Sequence, residues 1–292
     1  MQRKMQMNAI PDQSSAETAT DRLYLEMRKR VLDGRLRGGQ IIQIPSVLSF
    51  FECGMTPTRE AMRRLRLEGY FTQDTRGRNY VRNWSQNDLV DAWTLGATIW
   101  GYSALCFAER ADTLHKTRLN TLMNAALEEG RADSGDMQFV LSAILVTLHV
   151  IGAKSQVHHA EATLDDHIPV GLRRMCLQAL TGADLQRLCS QLQNAVNFAL
   201  AGQAQLASQG VEMAVRSILA PATEHFCWLA SLPTTTEAVF DDDGDVEAPK
   251  SPRSDLQPFY GTGTPEIADI DQWIARTVKA PAPHTSDTAL TA

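Results

Sequence analysis

The chain has 292 residues, 43% of them hydrophobic, and a formal net charge of -6. That length and apolar content can bury one or two ordinary cores, which excludes a wholly unstructured chain and favours two domains with loose ends. The most apolar stretch, Phe139 to Ala153, is interrupted by Ser142, Thr147 and His149, so no segment reads as a membrane span.

The net charge hides an asymmetry. Residues 21–82 hold 13 Lys/Arg against 7 Asp/Glu, or +6, while residues 83–292 hold 13 against 25, or -12; the first 20 balance at 2 against 2. A basic head on an acidic body points the head, and not the body, toward an anionic partner. Five cysteines, Cys53, Cys106, Cys176, Cys189 and Cys227, are odd in number, lie among apolar neighbours and form no C-x-x-C pair. They read as reduced, buried thiols of a cytoplasmic protein.

Residues 1–18 are polar, lack the apolar core of a signal peptide and are expected to form a mobile leader. Residues 19–84 form the expected head. Leu23, Met27 and Val31 recur every fourth position before Gly34, which predicts a first helix from Thr20 to Leu32. Pro45 and Ser46 open a second, two-turn helix over Val47 to Phe51. Thr56 and Pro57 then supply an N-cap and a first-turn proline for a third helix running to Gly69, with Ala61, Met62 and Leu65 inward. Tyr70 to Asp74 and Asn79 to Arg82 flank a hairpin tip, Thr75-Arg76-Gly77-Arg78.

Two short helices joined by a turn, followed by a hairpin, have the layout of a winged helix-turn-helix, whose second helix enters the DNA major groove. On the third helix Arg59, Arg63 and Arg66 fall at i, i+4 and i+7, one stripe opposite Met62 and Leu65. Guanidinium groups suit phosphates and guanine edges because their fixed donors pair two acceptors at once. Thr56 and Thr58 are expected at the exposed helix start, and Arg76, Gly77 and Arg78 at the wing tip. These eight residues are the expected contacts to a double-stranded operator.

Ser85-Gln86-Asn87-Asp88 resembles a capping box and opens a second domain, residues 85–232. Helical patterns follow at about 86–111, 114–130, 136–152, 155–165, 170–180, 183–201 and 204–219, which predicts an all-α antiparallel bundle. The fold class is therefore mainly α, a winged helix-turn-helix with a small hairpin wing followed by a helical bundle. Residues 233–292 turn to Thr, Pro, Asp and Gly, including Asp241-Asp242-Asp243-Gly244-Asp245, and are expected to stay mostly disordered. Within them Ile267, Ile270, Ile274 and Val278 suggest a short amphipathic helix over 264–278 that docks on the body or a partner.

The head resembles the GntR family of bacterial regulators, and the body its FadR-type branch. The resemblance rests on Leu32-Asp33-Gly34-Arg35-Leu36, Gly39, Thr56 through Leu65, Glu68-Gly69 and the wing Arg76-Gly77-Arg78-Asn79-Tyr80-Val81. It implies that Arg59 is a recognition-helix arginine, Thr56 an N-terminal contact, and Gly77 a wing glycine that approaches the minor groove. Three positions depart from the family pattern: Glu52 stands for a Gly, Gly54 for a Ser and Met55 for an Arg. The last removes one implied DNA contact.

The resemblance also implies a body pocket for small acids, often built around a metal, but the ligands are missing. Gly96 stands at an implied arginine, Trp100 at a glutamate and Val140 at a histidine, and no His occurs between Gln191 and Leu219. Any pocket near Trp93, Gly96, Trp100, Asp136 and Phe139 is expected to be apolar and to favour a hydrophobic or aromatic effector. No metal or other cofactor is expected. A different reading would make the body a metal-binding or enzymatic unit centred on His158, His159, Asp166 and His167, yet adjacent histidines on one helix point about 100° apart. No phosphate loop, nucleophile elbow or acid/base pair occurs, so the chain does not read as an enzyme. A third reading keeps the DNA-binding head and places the body under the control of protein partners. Palindromic operators further imply a homodimer.

Overall fold

The structure is a computed structural model that describes residues 18–132, 135–238 and 240, apart from the side chains of Gln138, Glu161, Asp165 and Asp166. The expected leader up to residue 17, the acidic run at 241–245 and the expected helix at 264–278 lie outside the described residues.

The head comprises α1 (Ala19–Leu32), β1 (Ile41–Ile42), α2 (Ile44–Phe50), α3 (Met55–Leu67), β2 (Phe71–Gln73) and β3 (Asn79–Val81). The Thr18 hydroxyl accepts from the Asp21 amide and caps α1. Leu23, Met27 and Val31 are buried as expected, and Tyr24 and Arg28 widen the buried stripe. The sheet has order β1-β3-β2, fully antiparallel, with Ile41 opposite Tyr80 and Phe71 opposite Val81. β1 is absent from the sequence reading because two residues are too short to show alternation.

α3 begins one residue before its expected cap. The Gly54 carbonyl accepts from both the Thr58 amide (3.3 Å) and the Thr58 hydroxyl (2.9 Å), so Gly54 is the N-cap and Thr56 is already inside the helix. Pro57 still falls in the first turn, where an amide has no helical partner to lose.

The body contains α4 (Gln86–Arg110), α5 (Thr113–Arg131), α6 (Met137–Lys154), α7 (Ala160–His167), α8 (Val170–Leu177), α9 (Gly182–Leu200), α10 (Ala204–Arg216) and α11 (Leu219–Ser231). The Ser85–Asp88 capping box is present, and Thr181 with Asp184 forms a second one at α9. α4, about 38 Å long at 1.5 Å per residue, runs along the core. Small residues let its neighbours close in: a Cβ on Gly101 would lie 3.3 Å from the Ser208 carbonyl, and one on Gly210 would lie 2.9 Å from the Ala195 Cβ. Trp93 Nε1 donates to the Val215 carbonyl at 2.8 Å, tying α4 to the end of α10.

The structure corrects the sequence reading at further places. The helix expected from residue 155 starts at Ala160, because Ser155 Oγ turns back to the Gly152 carbonyl and Gln156 adopts a positive φ of 59°. A further helix, α11, was not anticipated: Pro221 reads as a breaker but sits in the first turn, and the inward face is Pro221, Ala222, His225 and Phe226, with a histidine at an apolar position. Only Cys106, Cys176 and Cys189 are buried; Cys53 is half-buried and Cys227 exposed, since the latter falls on the outer face of α11. Finally, residues 235–238 and Phe240 are held against the head. Ile41 N donates to the Thr236 carbonyl (3.0 Å) and Ala238 N to the Ile41 carbonyl (2.9 Å), so this segment adds a parallel bridge to the free edge of β1. Composition alone cannot report a partner edge elsewhere in the chain. Among the described residues no helix is long and apolar enough to cross a membrane.

Burial lowers the His225 pKa to about 4. The imidazole is therefore neutral when folded, and the unfolded chain binds the extra proton between pH 6.5 and 4, so stability falls as pH drops through that window. About 2 kcal/mol should be lost between pH 7 and pH 4.5 through this group. Chemical denaturation at both pH values should show that much less acid loss in His225→Phe than in the parent; equal losses would exclude the assignment.

Candidate nucleic-acid interface

The expected recognition stripe lies on the exposed side of α3, but its members differ in what holds them. Arg59 is exposed and has no side-chain partner among the described residues. Arg63 is held by Glu60 through Nη2 at 2.7 Å and Nε at 3.0 Å. The Arg63 hydrogen bonds hold the Glu60 carboxyl below its ordinary range, and the same bonds raise the guanidinium. Arg66 Nη1 donates to Asn79 Oδ1 at 3.1 Å, which ties the helix to the wing strand β3. Arg64, off the stripe, donates to Asp21 at 2.7 Å and lies 4.1 Å over the Tyr24 ring, so it braces α3 on α1.

At the helix start, Thr56 is exposed, as is Met55 at 44%. Thr58 is not part of the surface. It is 0% exposed, its hydroxyl donates to the Gly54 carbonyl, and Cys53 Sγ lies 3.1 Å from the Thr58 hydroxyl oxygen. The reason is helical phase: Thr58 falls on the side of Ala61, Met62 and Leu65, which is buried.

The wing is organised by one carboxylate. Asp74 accepts from the Arg76 amide (3.0 Å), the Arg78 amide (2.9 Å), Arg78 Nε (2.8 Å) and the Tyr80 hydroxyl (3.1 Å). Partial burial alone would raise this carboxyl, but the Arg78, Tyr80 and Arg76 hydrogen bonds outweigh it and hold the pKa below its ordinary value. Gly77 turns the tip at φ 81°, a backbone region that favours glycine, with open space where a Cβ would point. Arg76 projects from this tip exposed and without a side-chain partner among the described residues, while Arg78 is turned back to Asp74. The surface thus presents Arg59 and Arg76 unencumbered, with Arg63 and Arg78 behind exchangeable surface ion pairs, which are individually weak.

The residues expected to surround an effector are placed differently. Trp93 and Trp100 are 3% and 6% exposed, with ring centroids 6.5 Å apart, inside the main core. A Cβ on Gly96 would clash with Ile168 Cδ1, so isoleucine fills the space that any larger side chain at this position would need. Asp136 is exposed and accepts from the Phe139 amide at 3.2 Å in the first turn of α6, while Phe139 packs partly against the core. Val140 is fully buried there. A cleft of about 480 Å³ lies elsewhere, between α5 and α9, with Arg131, Gln186, Arg187 and Asn194 on its walls.

His158 and His159 precede α7 and are exposed, and His167 at its end is exposed as well. Among the described residues no group of three or more His, Cys, Asp or Glu side chains is gathered as for a metal ion. What the sequence reading missed is the returning segment. Glu237 Oε1 accepts from Gln43 Nε2 at 3.2 Å, Gln40 Nε2 donates to Thr235 Oγ1 at 2.9 Å, and Phe240 packs against Phe50 and Phe51 at centroid distances of 5.7 and 5.9 Å. The available signal was Ala238-Val239-Phe240, a short apolar run in an otherwise polar stretch.

No protein-family model matches the chain, and no curated protein matches it either. Solved structures do. McbR/YncC of E. coli aligns over 70% of this chain and 97% of its own, with a TM-score of 0.52 and 13% identity. Lar, which controls the expression of the Listeria monocytogenes agr system and mediates virulence, aligns over 72% and 98%, with a TM-score of 0.52 and 11% identity. A GntR-family transcriptional regulator from Pseudomonas syringae pv. tomato aligns over 73% and 88% at 15% identity, but its TM-score of 0.34 carries no weight for the fold. The chain shares with the first two a fold in which a winged helix-turn-helix head precedes an all-helical body.

Proposed function

We propose that the chain is a DNA-binding transcription regulator of the GntR type whose head reads an operator through α3 and the wing. The observation that carries this reading is the shared exposure of Arg59 on α3 and Arg76 beside Gly77 at the wing tip, on a head, residues 21–82, with 13 Lys/Arg against 7 Asp/Glu. The motifs around Thr56–Leu65 and Arg76–Val81, and the fold shared with McbR/YncC and Lar, support it. α3 offers the major groove one unpaired guanidinium and one that must leave Glu60; the wing offers a second unpaired one to the backbone or minor groove.

We further propose a homodimer, so that two heads address two half-sites of one operator. Tyr102 and Leu95 on α4 and Met213 and Leu206 on α10 are large apolar side chains left 53%, 41%, 62% and 43% exposed on two adjacent helices. This face is the one we assign to pairing.

Gel shifts on the DNA upstream of the chain's own gene test the first proposal. If a dimer neutralises about six phosphates, log K should fall against log salt with a slope of about -5; a flat response would overturn it. Arg59→Ala should cost about 1 to 3 kcal/mol of binding if it reads a base, and Arg63→Ala less, because Glu60 already occupies its guanidinium. Equal losses would remove the distinction drawn from the Glu60 pair. Sedimentation of Tyr102→Glu/Met213→Glu should show monomers at concentrations where the parent is dimeric; an unchanged profile would exclude that face.

A further inference from the structure

The first turn of α3 carries an apolar side chain where a helix-turn-helix brings its base-reading residues to the groove. Met55 opens the helix and is 44% exposed. It stands one turn before Arg59, at the i, i+4 spacing that places two side chains about 6 Å apart on one face, and Thr56 beside it is exposed as well. Met62, seven residues on in nearly the same phase, is 2% exposed and belongs to the head's core, whereas Met55, at the helix end, stands largely in solvent. Ahead of it the N-cap Gly54 has no side chain, and the nearest atom that a Cβ there would meet is Pro57 Cδ at 3.7 Å. The start of α3 is therefore slim and open, with one large apolar group on it.

We propose that Met55 reads the C5-methyl group of a thymine in the major groove, within two base pairs of the base that Arg59 contacts. This rests on the DNA-binding reading above. The choice of base follows from what a thioether can and cannot do. In the major groove guanine offers two acceptors, cytosine a donor, adenine one of each, and thymine an acceptor together with a methyl group, the one apolar feature among them. Methionine has no donor and only a weak acceptor. Pressed against guanine, cytosine or adenine it would strip water from polar atoms without replacing their hydrogen bonds. Against thymine it buries apolar surface on both sides. The window of two base pairs follows from spacing, since about 6 Å between the side chains is less than two steps of about 3.4 Å.

This contact differs in kind from those of the arginines. Their attraction to phosphates is common to every duplex, whereas an uncharged side chain adds nothing to that general term and acts only in the choice among sequences. Met55 and Arg59 thus divide the reading of neighbouring bases between an apolar group and a hydrogen-bond donor.

The test selects duplexes from a random-sequence pool with the full-length chain and then measures affinity for the enriched site by fluorescence anisotropy at fixed salt. The enriched site should hold a thymine within two base pairs of a guanine. Uracil in place of that thymine removes the methyl group alone and should weaken binding by the parent about fourfold. M55A should bind the thymine and uracil duplexes equally. R59A, weaker on both, should keep the uracil penalty, and M55L should keep it too, because leucine offers apolar surface of similar size. M55R should move the preference at that base pair to guanine, whose N7 and O6 accept from a guanidinium. The proposal is overturned if no thymine-to-uracil change weakens the parent, or if the penalty persists in M55A. A gain from 5-methylcytosine over cytosine, without a loss from thymine to uracil, would overturn thymine as the contacted base. If the pool yields no enriched duplex, the DNA-binding reading fails and this contact with it; enrichment with methyl-blind binding leaves that reading standing and removes Met55 from it.

Discussion

Glu68 sits at the C-terminal end of α3, where both its main chain and its side chain are spoken for. The Tyr24 hydroxyl lies 2.7 Å from each carboxylate oxygen, Arg174 Nη1 of α8 lies 3.5 Å from one of them, and the Glu68 carbonyl accepts from the Gly171 amide at 2.7 Å. Head and body meet at this joint through backbone as well as side chain. It tolerates no bulk: a Cβ on Gly69 would lie 2.6 Å from Pro169, and one on Gly171 would lie 2.7 Å from the Glu68 oxygen. Around it burial pushes the Tyr70 phenol up to about 12, so the ring stays neutral next to Arg174. Because Arg59 lies nine residues, about 13 Å, from this end of the helix, a small tilt at Glu68 is a larger displacement at the face that would meet DNA.

The arginines of the head separate into two groups by what their partners do. Arg64 with Asp21 and Tyr24, and Arg66 with Asn79, connect elements, so they orient α3 relative to α1 and the wing. Arg63 with Glu60 and Arg78 with Asp74 are local pairs on exposed surface, where water and salt weaken the attraction and an incoming phosphate can replace the carboxylate. Arg59 and Arg76 require no such exchange. The same residue type therefore performs bracing or contact according to whether a carboxylate or a neighbouring element lies within reach.

In the body, the positions that would mark a small-acid pocket are devoted to packing. Ile168 covers Gly96, Trp100 stands in the core beside Trp93, and Val140 is buried with the rest of α6. The cleft between α5 and α9, with Arg131, Gln186, Arg187 and Asn194 on its walls, lies apart from these positions. The returning segment adds a second link between the two units, through the edge of β1 and the Phe50, Phe51 and Phe240 rings.

The sequence by itself determined the mainly helical class, the order of head and body, most helix positions and the capping box at Ser85, because periodicity, caps and prolines act over a few residues and are written locally. It also determined the charge surplus of the head and the positions of Arg59 and of the wing tip. The burial of Thr58 was already implied by the inward Ala61, Met62 and Leu65, three, four and seven residues further on; only the tertiary structure decided that Gly54 and not Thr56 caps α3. It alone decided which arginines are engaged, that Ile168 closes over Gly96, that a two-residue strand at Ile41 completes the sheet, and that Thr236 and Ala238 pair with that strand. Each of these outcomes depends on a group far away in sequence, 195 residues in the case of Gln40 and Thr235, and the free energy that settles it comes from a partner that no local pattern can announce.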